Sequence, residues 1–131
     1  MPNWMKTAAE VNQEQLAAAK QRKRRAIDAE YTAALERGVT WNGTRWTATD
    51  QGRDTLVEMH EVAQQDGVKV TVLDANNAAH TLAEADLDNL RAGGRTYRRQ
   101  ARENRLSLLQ AVGAASSVAG VNAVDETTSW P

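Results

Sequence analysis

The chain has 131 residues, room for one domain plus an extended element. Lys and Arg total 16, Asp and Glu total 17, and the formal net charge is −1. No global charge therefore argues for nucleic acid or a membrane surface, and any electrostatic function must come from local clustering. Cysteine is absent, which excludes disulfides, thiolate chemistry and cysteine-ligated metals and fits the cytosol. No apolar run approaches the roughly 20 residues of a membrane span. Met1-Pro2-Asn3-Trp4-Met5-Lys6 leads into a polar helix, which predicts no signal peptide. Phe is missing and Ala is abundant. Such a core buries little apolar area per residue, so the chain gains from oligomerising or from docking into an assembly.

Residues 6–37 hold no Gly or Pro and predict one long helix, stopped by Gly38. Ile27, Tyr31, Ala34 and Leu35 give its second half an apolar face. The first half has only Val11, Leu16 and scattered alanines. It is expected to project as an arm over 1–25, with residues 26–131 as the compact domain. The basic run Lys20-Gln21-Arg22-Lys23-Arg24-Arg25 marks the join.

Asn42-Gly43 between Val39-Thr40-Trp41 and Thr44-Arg45-Trp46 predicts a hairpin with a type I′ turn, which needs positive φ at both central residues. Trp41 then faces Thr44 and Val39 faces Trp46, and these four side chains share one face for packing on a helix. Asp50 or Thr49 caps a helix over about 51–65, with Leu56, Met59, Val62 and Ala63 on its apolar side and Gly67 at its end. Val68, Val70 and Val72 alternate with polar residues as in a strand. Asp74-Ala75-Asn76-Asn77 turns the chain, and Ala78 to His80 returns as a second short strand.

Thr81-Leu82-Ala83-Glu84 fits a capping box, opening a helix to about Val112. Leu87, Leu90, Gly94, Tyr97, Ala101, Asn104, Leu108 and Ala111 form a heptad-like seam. The seam fits a helix packed on its own domain or an intermolecular coiled coil, in which a seam Asn would set register. Gly93-Gly94 either breaks this helix or admits a close neighbour. Residues 113–129 are small and weakly patterned, with Val118, Val121 and Val124 at helical spacing. Trp130 is expected to anchor in a pocket of this fold or of a neighbour. The fold class is α+β and mostly helical: a long N-terminal helix, two small β-hairpins packed on helices and a long C-terminal helix.

Chemistry-bearing residues are sparse. His60 and His80 have no second His at ligand spacing, and His60 is expected at a surface or rim position. The Asp74 turn lacks the residue order of a calcium loop. Gly93-Gly94 has no following Lys-Ser/Thr and is no phosphate loop. No catalytic residue, cofactor or metal site is therefore expected. Arg91, Arg95, Arg98, Arg102 and Arg105 make a stripe about 80° wide at 100° per residue. It suits either phosphates or acids of neighbouring helices. Candidate acids are Glu30, Glu36, Glu58, Glu61, Asp86 and Asp88, and the near-neutral charge favours them.

From about Arg24 onward the chain resembles a family of unknown function found in tailed-bacteriophage tail-fibre-like and tail-assembly-like proteins. The carrying features are a helix ending near Gly38, then Trp46-Thr47-Ala48-Thr49-Asp50 with Arg53 and Leu56. Val72-Leu73-Asp74-Ala75-Asn76-Asn77 follows, then His80-Thr81-Leu82, Asp86-Leu87, a long helix and terminal Trp130-Pro131. The chain departs from that pattern in carrying a Val-rich strand where the family often has a Trp, and Asn76-Asn77 in place of Asp-Asn.

The resemblance implies a tail context and no reaction. It leads to the expectation of a virion protein of the tail or baseplate, made in the host cytoplasm, that docks a tail fibre or receptor-binding part to the tail. The expected partners are other phage tail or baseplate proteins and further copies of the chain, with a trimer in view; neither a membrane nor nucleic acid is expected. Trp4, Val11, Leu16 and Trp130 are the candidate apolar anchors, and Arg22, Lys23, Arg24 and Arg25 the candidate contacts to acidic partners. The alternatives are a fibre-assembly chaperone that leaves the particle, or a nucleic-acid-binding regulator using the arginine stripe.

Overall fold

Thr7 starts the first helix by a reciprocal cap. Its hydroxyl accepts the Glu10 amide over 3.1 Å, and the Glu10 carboxylate reaches back to the Thr7 amide over 3.4 Å, which satisfies two of the amides a helix start leaves unbonded. In this computed structural model, which describes residues 6–131, helix α1 then runs Ala8–Arg37. It stops where Gly38 takes φ +71° and donates to the Ala34 carbonyl, the left-handed C-terminal stop that suits glycine.

The first hairpin, β1 (Val39–Trp41) and β2 (Thr44–Trp46), pairs Val39 with Trp46 and Trp41 with Thr44. Asn42 and Gly43 both have positive φ, at 49° and 74°, as a type I′ turn requires. Helix α2 (Asp50–Asp66) is capped by the Thr49 hydroxyl and ends on left-handed Gly67. The second hairpin, β3 (Val70–Leu73) and β4 (Ala79–Leu82), is again antiparallel. Helix α3 (Glu84–Ala114) and the short α4 (Val118–Asn122) complete the chain. The fold is α+β, with 66% of the described residues helical. No helix among the described residues is long and apolar enough to cross a membrane.

Two compact units are distinguished. One holds the residues up to Tyr31 with Glu103–Trp130, and the other holds Thr32–Arg102 with Pro131. The core of the second unit joins Trp46, Leu56, Ala63, Val70, Val72, Leu82, Leu87 and Leu90, with Val39, Trp41, Met59 and Val62 packed against it. Both hairpins thus bury one face against helices, which two-stranded sheets need for stability. In the first unit Ala19, Ile27, Val112 and Val121 are buried.

Three expectations change. Thr81 does not cap α3: its backbone is already paired with Thr71 in the second hairpin, and Leu82 belongs to the core. The helix starts at Glu84, and Asp86, not Glu84, reaches back, its carboxylate accepting the Ala83 amide over 3.1 Å. Gly93-Gly94 does not break α3, and a Cβ at either position would meet nothing of the chain itself within 4 Å. The buried seam ends on Val112, while Ala111 is exposed, because three-four spacing from Leu108 reaches Val112 by the four-residue step.

Candidate functional site

In the first unit the basic run is divided by the helix's own geometry. Lys23 turns inward and meets the Glu126 carboxylate at 2.8 Å, with only 14% of its side chain exposed. Its ammonium holds the Glu126 carboxyl below the usual range. Lys20 donates to the Gly113 carbonyl over 3.0 Å. Arg22, Arg24 and Arg25 are exposed, without a hydrogen bond or ion pair to another described residue. Residues 19–25 are therefore tied to residues 113–126 rather than standing wholly free as an arm.

The apolar anchors are similarly divided. Val11 is exposed, whereas Leu16 is half-buried and lines a shallow cavity with Asn12, Gln13, Ser116 and Val118. Trp130 is held inside the chain: its indole N–H donates to the Glu126 carbonyl over 2.7 Å, and its ring lies 6.3 Å from that of Tyr31. Arg105 stacks over Tyr31 and pairs with Asp28 at 2.8 Å. Asn104 donates to the Thr128 carbonyl, so this seam amide is used within the chain. Trp4 lies outside the described residues.

The second unit contains two linked polar groups and one basic groove. Asp74 accepts from the Asn76 and Ala78 amides through Oδ1 and contacts His80 Nε2 at 2.7 Å through Oδ2. The bond to His80, joined by those amides, holds the Asp74 carboxyl below its ordinary value. The His80 ring in turn lies 5.1 Å from that of Trp46, so this cluster pins the second turn onto the first hairpin. The Trp46 indole N–H is buried without an acceptor.

His60 does not sit on the surface. It is buried, and its Nδ1 accepts from Arg91 at 2.6 Å. Arg98 pairs with Asp50 at 3.1 Å, and Arg53 with Asp54 at 3.1 Å. The arginine stripe is thus largely engaged by protein groups, though by Asp28, Asp50 and His60 and not by the acids expected from sequence. Between α2 and α3 a groove of about 100 Å³ is lined by Ala48, Leu56, Val57 and Gly94 and edged by Arg53, Arg91, Arg95 and Arg98. Arg53 lies on another helix from the stripe, and the alternation of Arg53 with Leu56 and Val57 was the available sign of it. Among the described residues no cluster of His, Asp and Glu is arranged to hold a metal ion.

Compared with models of protein families, with curated proteins and with solved structures, the chain matches none.

Proposed function

We propose that the protein is a non-enzymatic structural component of a bacteriophage tail or baseplate, docking a tail fibre or receptor-binding part to the tail. The tail assignment rests on the resemblance in element order from Gly38 to Trp130-Pro131. The docking role rests on one observation, an exposed stripe of α1. At 100° per residue Val11, Gln15, Ala18, Arg22 and Arg25 fall within about 80° of helix surface, and all five are exposed. A stripe with Val11 and Ala18 flanking Gln15 at one end and two arginines at the other suits a partner helix carrying carboxylates near an apolar position.

Mass spectrometry of purified virions tests the reading. The expected result is the chain in stoichiometric amount with tail proteins. Its absence from the particle overturns the structural role in favour of an assembly chaperone. Sedimentation of the full chain adds a second test: self-association is expected and should weaken in the double variant Arg22→Glu, Arg25→Glu. The nucleic-acid alternative has less support, because Arg91, Arg98 and Arg105 are already engaged by His60, Asp50 and Asp28.

A further inference from the structure

The groove between α2 and α3 combines features that the fold itself does not use. Its lining includes four arginines and no acid. Arg53 and Arg98 are partly compensated by Asp50 and Asp54 at the rim, and Arg91 is bonded to His60. Arg95 is exposed and has no partner among the described residues. Beneath these charges Val57 stays 38% exposed beside Leu56 and Ala48. One groove thus offers an open aliphatic side chain and an unpaired guanidinium together, the two kinds of group that a single acidic and aliphatic segment can meet at once.

We propose that this groove docks an acidic segment of a partner protein, with one aliphatic side chain seated over Leu56 and Val57 and a flanking carboxylate held by Arg95. The size selects the occupant. A groove of about 100 Å³ is well below the roughly 300–1,000 Å³ of small-molecule sites and accepts one side chain as an anchor. The charge selects its neighbours, because a guanidinium binds a carboxylate through two parallel N–H donors. Nucleic acid fits less well. A phosphate chain gains affinity by following many free basic groups, and here Arg53, Arg98 and Arg91 are already engaged by Asp54, Asp50 and His60, which leaves Arg95 to hold a single anionic group. The aliphatic floor would also gain nothing from a phosphate. The inference stands on the groove alone and does not depend on the tail assignment.

The test is a two-dimensional NMR titration of the full ¹⁵N-labelled chain. The probe is a terminally blocked pentapeptide, Glu-Asp-Leu-Asp-Glu, with a serine-centred counterpart and a single-stranded oligonucleotide of equal charge. The leucine peptide should shift the Val57, Gly94 and Arg95 amides saturably with a Kd of about 1 mM or tighter, roughly 4 kcal/mol of binding. The serine peptide should bind several-fold more weakly. Arg95→Glu, at an exposed unpaired position, should weaken the leucine peptide about tenfold, the size of one lost charge contact. Val57→Asp should abolish binding while circular dichroism stays unchanged. No saturable shift, equal binding of the serine peptide, or tighter binding of the oligonucleotide at these amides would each overturn the proposal.

Discussion

The Tyr97 hydroxyl donates to the Ala34 carbonyl over 2.6 Å, and both residues are buried. The same carbonyl also accepts from the Gly38 amide at 3.1 Å, so the last turn of α1 and the middle of α3 share one oxygen. Burial pushes the Tyr97 phenol up. Tyr97→Phe keeps the ring and deletes the bond. Stability should fall by about 1–2 kcal/mol, seen as a lower urea midpoint at constant m-value. An unchanged midpoint would show that the oxygen is satisfied without the phenol.

Gly38 and Gly43 share the same left-handed backbone but differ in surroundings. A Cβ on Gly38 would fall 1.7 Å from the Trp46 carbonyl oxygen, whereas one on Gly43 meets nothing within 4 Å. Gly43→Ala should therefore cost only the strain of positive φ, about 1–2 kcal/mol. Gly38→Ala adds backbone displacement and should cost about 3 kcal/mol or more. Thermal melts of the two variants measure the difference, and equal losses would contradict the close approach.

Acid should loosen the turns. Asp125 is held at about 2 by bonds from Thr127, with Thr128 and the Thr127 amide adding to it, and Asp74 is also lowered, chiefly by His80. A carboxyl depressed on folding contributes stability that is fully present above its unfolded value, near 3.8. That contribution is lost as pH falls through the folded value. For Asp125 the window runs from about pH 4 to about pH 2. Asp125→Asn should thus flatten the fall in melting temperature across that window while changing little above pH 5. A variant with the parent's full slope would remove Asp125 from the acid response.

Arg91 can only donate, so His60 Nδ1 must accept and its proton must sit on Nε2. Long-range ¹H–¹⁵N correlation spectra should show that tautomer. Arg91→Ala leaves a buried acceptor unbonded and should cost about 1–3 kcal/mol. The opposite tautomer in the parent chain would refute the pairing.

Sequence exposed the parts of the fold that local chemistry decides. Asn42-Gly43 dictated its turn, and Thr49 and Gly67 bounded α2, because positive φ and an N-terminal hydroxyl act within a few residues. The capping boxes mark the limit. Thr7-Ala8-Ala9-Glu10 and Thr81-Leu82-Ala83-Glu84 obey one pattern, yet only the first caps a helix. Pairing of Thr81 with Thr71 wins at the second, and that competitor lies outside any local window. His60 escaped for a like reason, its donor being 31 residues away. For the candidate docking residues, sequence picked out the charges of the basic run but not that Lys23 would turn inward to Glu126.

Among the described residues Arg45 binds only uncharged oxygens: the Glu36 and Arg37 carbonyls, at 3.3 and 3.0 Å, and Asn76 Oδ1 at 3.1 Å. The first unit carries the ion pairs Lys23–Glu126 and Arg105–Asp28 beside its bonds from Lys20 and Asn104 to carbonyls. Dissolved ions weaken solvent-exposed ion pairs, the more so as the Debye length shortens from about 8 Å at physiological strength to about 3 Å at about 1 M, and act far less on a donor facing a carbonyl dipole. Ionic strength thus becomes a selective handle on single contacts: concentrated salt slackens the exposed Arg105–Asp28 pair, acts less on the shielded Lys23, and leaves the Arg45 clasp of the second unit nearly untouched.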